Sequence, residues 1–90
     1  MRTIRKFPIA ISNYQHVELP QSAKILKAAE QDGLLYIWVL LDPNDKDLFS
    51  REIRVYGTGN NIPAPDPLLS HIDTVLMSDG LVWHVFEEVN

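Results

Sequence analysis

Three features of the sequence predict a mostly β fold, a small antiparallel sandwich or partly open barrel of about six or seven short strands. The first is an apolar run from Leu34 to Leu41, closed by Asp42-Pro43, which reads as a strand buried on both faces and central in its sheet. The second is a pair of Asp-Gly dipeptides, Asp32-Gly33 and Asp79-Gly80, each flanked by apolar segments. Asp-Gly is what a two-residue type I′ hairpin turn requires, because both of its positions take positive φ. The third is regular punctuation by proline, at Pro8, Pro20, Pro43 and again across Pro63 to Pro67. Ninety residues with 46% hydrophobic content make one domain with one core.

Taken in order, Thr3 to Ile11 alternates as a first strand, with Arg5, Phe7, Ile9 and Ile11 on one side and Ile4, Lys6 and Ala10 on the other. Pro8 cannot donate to a ladder and places this strand at an edge. Ser12 to Gln15 is a turn, and His16 to Leu19 is a short strand stopped by Pro20. Ala23 to Gln31 has the composition of a short helix that Ser22 could cap. The Asp32-Gly33 pair argues instead for a strand that turns directly into Leu34 to Leu41. Two-residue closure then pairs Gln31 with Leu34, Ala29 with Tyr36, Lys27 with Trp38 and Ile25 with Leu40. One face collects Leu26, Ala28, Leu35, Ile37 and Val39 as core. The other carries Tyr36 and Trp38 beside Ala29 and Lys27, and is either covered by a second layer (Phe7, Tyr14 and Phe86 are available) or a binding surface.

Asp42 to Asp47 reads as a solvated loop, and Leu48 to Tyr56 as a strand with Ile53 and Val55 inward. Pro63, Pro65 and Pro67 make an extended connection. Ile72 to Met77 and Leu81 to Val89 form a second hairpin around Asp79-Gly80. The same two-residue closure pairs Met77 with Val82, Leu76 with Trp83, Val75 with His84 and Thr74 with Val85, which places Ile72, Leu76, Leu81, Trp83 and Val85 in the core and leaves Val75, His84 and Phe86 opposite.

The chemistry the sequence excludes is broad. Without cysteine there is no disulfide, thiolate zinc site or thiol nucleophile. A formal net charge of -4 argues against general binding to a nucleic-acid backbone, which needs clustered Lys and Arg. No signal peptide or membrane-spanning run is visible, so a cytoplasmic location is expected. His16, His71 and His84 are widely separated, with His84 read as a half-buried strand residue and the other two as loop residues, and no metal, cofactor or catalytic residue is assigned.

Two candidate sites remain. Tyr56, Gly57, Thr58, Gly59, Asn60 and Asn61 could converge backbone N–H groups and side-chain donors on an anion, although the dinucleotide and P-loop signatures are incomplete and a tight turn explains the glycines. Lys27, Tyr36 and Trp38, helped by Asp42, Asp45 and Asp47, could anchor a protein partner, since aromatic side chains supply large contact area at low entropic cost.

The segments Lys-Phe-Pro-Ile, Leu-Pro before Ala-Lys-Ile-Leu, Gln-Asp-Gly, Trp-Val-Leu-Leu-Asp-Pro, Arg-Val-Tyr-Gly-Thr-Gly, His-Ile-Asp-Thr and Leu-Val-Trp-His-Val-Phe-Glu cover nearly the whole chain. In this pattern the sequence resembles a family of short uncharacterised proteins from bacteriophages and bacterial genomes, departing from it at Asn60, where histidine is common, and at Asp73, where glycine is usual. The resemblance implies no activity. It implies a context in which small accessory proteins act by binding. The first expectation is therefore a non-enzymatic phage or prophage protein that inhibits a host protein, such as a CRISPR or other defence effector. The alternative is a sponge for a nucleotide signal, homo-oligomeric because pockets in so short a chain form between subunits, and a third is a structural or assembly component of a virion.

Overall fold

In the computed structural model of the chain, which describes residues 1–62 and 68–89, seven antiparallel strands form two sheets: β1 (Thr3–Pro8), β2 (Gln15–Pro20), β3 (Lys24–Gln31), β4 (Leu34–Leu41), β5 (Leu48–Gly57), β6 (Leu69–Leu76) and β7 (Val82–Glu88). One sheet has the order β1-β4-β3 and the other β2-β5-β7-β6. They face each other as a small sandwich. Among the described residues there is no helix and no closed barrel. The extended connection expected across Pro63, Pro65 and Pro67 lies outside the described residues.

The first hairpin forms as its turn chemistry demands. Asp32 and Gly33 both take positive φ, 54° and 81°, so the type I′ turn closes Gln31 onto Leu34 and draws Lys24 to Gln31 into a strand rather than a helix. Ala29 faces Tyr36 and Lys27 faces Trp38, as the turn predicts. Beyond Lys27 a β-bulge intervenes, and Ile25 pairs with Val39 instead of Leu40. The extra residue is Leu26, which leaves the expected core face and is exposed. Ile25 packs against the core in its place.

The second hairpin corrects the sequence expectation by one residue. Only Gly80 has positive φ there (91°). The Gly80 N–H donates to the Met77 carbonyl and the Met77 N–H to the Leu81 carbonyl. The loop therefore holds three residues, a turn followed by a left-handed glycine. Leu76 pairs with Val82, Val75 with Trp83 and Thr74 with His84. A one-residue slip exchanges the faces of a strand: Val75 is buried, whereas Leu76 is 75% exposed and Leu81 is exposed as well.

β1 is an edge strand, as Pro8 requires, but it ends at that residue and not at Ile11. Ile9 follows the strand into the core while Ile11 is exposed. β4 is central in its sheet, but its burial alternates: Leu35, Ile37, Val39 and Leu41 are buried and Tyr36, Trp38 and Leu40 are half-buried. The expectation of burial on both faces fails because nothing from the second sheet reaches the outer face. Phe7 packs inward against the core. Tyr14 lies against Arg54 and His16, and Phe86 against Tyr56 and His71, all on the other sheet.

Side chains, not a backbone ladder, close the seam where the β3 and β6 edges meet. The Asp73 carboxylate accepts from the Ala28 N–H at 3.3 Å and pairs with Lys27 at 3.4 Å. The Glu30 carboxylate accepts from the Ser78 N–H at 3.0 Å and from its hydroxyl at 2.8 Å. Both strands are bulged, β6 between His71 and Asp73. Edges bent in this way satisfy exposed N–H groups through carboxylates and do not fuse into a barrel.

Candidate functional site

The outer face of the three-stranded sheet brings together more than the sequence reading assigned to it. Alternation along β1 and β4 puts Ile4, Lys6, Tyr36, Trp38 and Leu40 on one surface, and β3 adds Lys24, Lys27 and Ala29. The bulge adds Leu26, which no strict alternation from the turn would have placed there. Ile4, Leu26, Lys27, Ala29 and Trp38 line an open groove of about 600 Å³. Tyr36 and Trp38 lie 6.1 Å apart between ring centroids, and the Lys6 ammonium sits 4.5 Å from the Tyr36 centroid and hydrogen-bonds Gln31. Ile4 is 55% exposed and Leu26 43%. Contiguous exposure of this kind is what interaction surfaces show, whereas scattered apolar residues carry no such meaning.

Asp42, Asp45 and Asp47 lie elsewhere. They belong to the loop after β4, where Asp42 and Asp45 line a separate recess with Arg5, Glu18 and Lys46. Two of these carboxylates fold the loop on itself: Asp42 accepts from the Asn44 N–H at 2.9 Å, and Asp45 from the Asp47 N–H at 3.1 Å. Among the described residues no group of three metal-ligating side chains forms.

The Gly57 to Asn61 loop is a tight turn, with the Asn60 N–H donating to the Gly57 carbonyl at 3.1 Å and Gly59 at positive φ. A side chain at Gly57 would meet Trp83 and Asn60 at 3.1 Å, so close packing accounts for that glycine. The Thr58 hydroxyl is held by His84 Nε2 at 2.8 Å. Two of the donors that an anion would need are thus engaged within the chain. His84 Nδ1 meets the Thr74 hydroxyl at 3.1 Å, which in turn meets His71 Nε2 at 3.0 Å. His71 is a strand residue of β6 and not a loop residue as expected, and His16, read from the sequence both as the start of a strand and as a loop residue, lies within β2.

On the same outer face of the four-stranded sheet, Glu52 on β5 and Glu88 on β7 lie next to each other at one end of the β5–β7 ladder, and Arg54 donates to Glu88 at 2.8 Å. The bond to Glu88 raises the Glu52 pKa above the usual carboxylate value. The bonds from Glu52 and then Arg54 lower that of Glu88. The raised group stabilises the fold fully below its unfolded pKa, and this contribution is lost as pH rises through the folded value; the lowered group stabilises above its unfolded pKa and loses its contribution as pH falls through the folded value. The pair is therefore best matched in the ordinary carboxylate range, where one proton is shared, and is least favourable near neutrality, where both groups are anionic. Glu52→Gln, which keeps a donor at every pH, is expected to raise the thermal midpoint at about pH 7.5 and to leave it nearly unchanged at about pH 4.5. Thermal melts of both proteins at the two pH values check this, and equal shifts at both would contradict the shared proton.

No helix among the described residues is long and apolar enough to cross a membrane. In comparisons with known proteins, no curated protein and no solved structure matches the chain. A family pattern matches it over residues 1–90, its full extent, and the chain belongs to that family, the one described as Domain of unknown function (DUF7352).

Proposed function

We propose that this protein is a non-enzymatic binding protein that engages a protein partner through the outer face of the β1-β4-β3 sheet. The observation that carries the reading is that face itself: Ile4 and Leu26 are exposed and Trp38 and Tyr36 half-buried beside them, framed by Lys6, Lys24 and Lys27. The net charge of the chain hides how its charges are distributed. Residues 1–11 and 23–41, which build this sheet, hold five of the eight Lys and Arg but only two of the twelve Asp and Glu. The complementary partner presents apolar side chains with carboxylates around them. A second copy docked face to face would set lysine against lysine, so charge favours a different protein. The resemblance to phage and bacterial-genome proteins supports a host protein in that role, with inhibition of a defence effector as the consequence.

The test is native mass spectrometry of the protein purified gently from bacterial cells, run in parallel for the wild type, Trp38→Ala and Lys27→Glu. A stoichiometric protein held by the wild type should fall at least about tenfold in both variants. Undiminished retention in both would remove this face from the interface. Loss on charge reversal at Asp45 and Asp47 alone would assign the interface to the acidic loop instead.

A further inference from the structure

The lysine-framed face ends, on one side, at a strand edge with nothing beside it. β1 is an outer strand of its sheet, and its register fixes which way each backbone group points. The Ile9 N–H donates to the Leu35 carbonyl, and the ladder alternates from there, so Phe7, Arg5 and Thr3 exchange bonds with Ile37, Val39 and Leu41. Ile4, Lys6 and Pro8 turn their backbone groups to the open side. Among the described residues nothing bonds the backbone of Ile4 or Lys6 there. Pro8 has no N–H to leave unpaired, and closes the edge at that end. Five of the six β1 residues are exposed, Thr3 and Arg5 of the inward side among them, so the strand lacks a neighbour alongside as well as cover on its outer face. The β3 and β6 edges differ, because the Asp73 and Glu30 carboxylates close them on each other.

We infer that the β1 edge receives an extended segment of the partner, which joins the sheet as an added antiparallel strand. This rests on the reading of the outer face as a protein interface, and names the form in which the partner arrives. An added strand exchanges bonds with Ile4 and Lys6 and carries the outer face further, since Ile4 stands opposite Leu40 and Lys6 opposite Trp38 on the other side of β1.

Charge selects the occupant. From Met1 to Val17 the chain has Arg2, Arg5 and Lys6 and no Asp or Glu. Two β1 edges therefore repel in each central antiparallel register. Centred on Ile4, Lys6 of one copy meets Arg2 of the other; centred on Arg5, the two arginines meet; centred on Lys6, the two lysines meet. A segment with carboxylates opposite Lys6 and Arg5 and apolar residues opposite Ile4 and Phe7 turns each clash into a pair. The occupant is thus an acidic and apolar stretch of a different chain, about six residues long.

Nuclear magnetic resonance of the isotope-labelled full chain tests this. In the free protein the Arg5 and Phe7 amides should exchange slowly with solvent and those of Ile4 and Lys6 freely. The probe is the capped peptide Thr-Val-Glu-Glu-Val-Thr, whose third residue lies opposite Lys6 and fifth opposite Ile4 in antiparallel register. Titrated to about 10 mM, at which a Kd of about 1 mM is close to saturated, it should shift the Ile4 and Lys6 amide protons more than any others. The same peptide N-methylated at its third and fifth residues cannot donate to the edge, and one with lysine in place of glutamate restores the like-charge clash. Each should bind at least about tenfold more weakly than the parent. Four results would overturn the inference: Ile4 and Lys6 amides already protected in the free protein, no saturable shift of either across the titration, an N-methylated peptide that binds as well as its parent, or a lysine peptide that does. The third, together with a shift of the Trp38 indole, would place the ligand on the face without a ladder, so that the edge fails while the face stands.

Discussion

Ile37→Ala is expected to destabilise the protein by about 3–4 kcal/mol, in the upper part of the range for truncating one buried aliphatic side chain. Ile37 is completely buried at the centre of β4, with Phe7 opposite on β1 and Ala28 opposite on β3. Removing a buried branched side chain forfeits its transfer free energy and leaves a cavity. Ala28 has nothing to extend into it, and Phe7 is held by a strand that ends at Pro8. A domain of this size has only about 5–10 kcal/mol to lose, so urea unfolding should show a midpoint lowered by a third or more with an unchanged slope. The neighbouring residue is the control. Trp38 points to the opposite side of the same strand and is half-buried, and its truncation should cost less despite the larger side chain. If Trp38→Ala proved the more damaging, the outer face would be a second core layer after all, and the proposed interaction surface would fall with it.

How far the sequence discloses the fold depends on turn chemistry at each hairpin. Asp32-Gly33 specifies a type I′ turn, and every pairing from Gln31 to Lys27 follows from it. Asp79-Gly80 is the same dipeptide, yet Asp79 keeps negative φ and the loop takes in Ser78. The choice is made by contacts remote in sequence, since Glu30 captures both the Ser78 N–H and its hydroxyl. The bulge at Leu26 is equally nonlocal. It arises at the edge that meets β6, where Asp73 takes the Ala28 N–H, and no periodicity within β3 announces it.

The candidate surfaces divide in the same way. Lys27, Tyr36 and Trp38 could be grouped from the sequence because one hairpin sets them in register. Ile4 and Lys6 were legible as one side of their strand but not as neighbours of Trp38, because β1 joins β4 across the chain between them. Charge is uneven along the sequence itself, basic at Arg2, Arg5 and Lys6 and acidic from Asp42 to Asp47 and at Glu87 and Glu88, but its division between the two sheets was not legible, for a related reason. A net charge of -4 averages two sheets whose assignment requires the topology. The β1–β2 connection is a harder case still: it folds over the end of β5, where the Val55 N–H donates to the Ser12 carbonyl, a contact between segments far apart in sequence.

Arg51→Ala is expected to cost about 2–3 kcal/mol, well above the worth of an ordinary surface ion pair. Arg51 on β5 binds Glu87 on β7 through two parallel bonds, from Nε and from Nη2, the latter at 2.9 Å, and its Nη1 donates to the Ala23 carbonyl at 3.1 Å. Ala23 lies between β2 and β3, where the chain crosses from one sheet to the other. One guanidinium thus joins two strands and the crossover. The bonds to Glu87 raise the Arg51 pKa against the opposing cost of burial, so the cation persists at every accessible pH. With side chains only 20% and 17% exposed, removing Arg51 strands a carboxylate that water reaches poorly. That residual exposure keeps the expected loss below the cost of breaking a fully buried pair. Arg51→Lys should recover little, because a lysine cannot reproduce the planar fork. The double variant Arg51→Met with Glu87→Leu separates the pair's own worth from the penalty of an orphaned charge. By urea titration its stability should lie closer to that of the wild type than either single substitution does. Additive losses would mean instead that each residue acts through packing alone, and that the ion pair itself contributes nothing to holding the crossover in place.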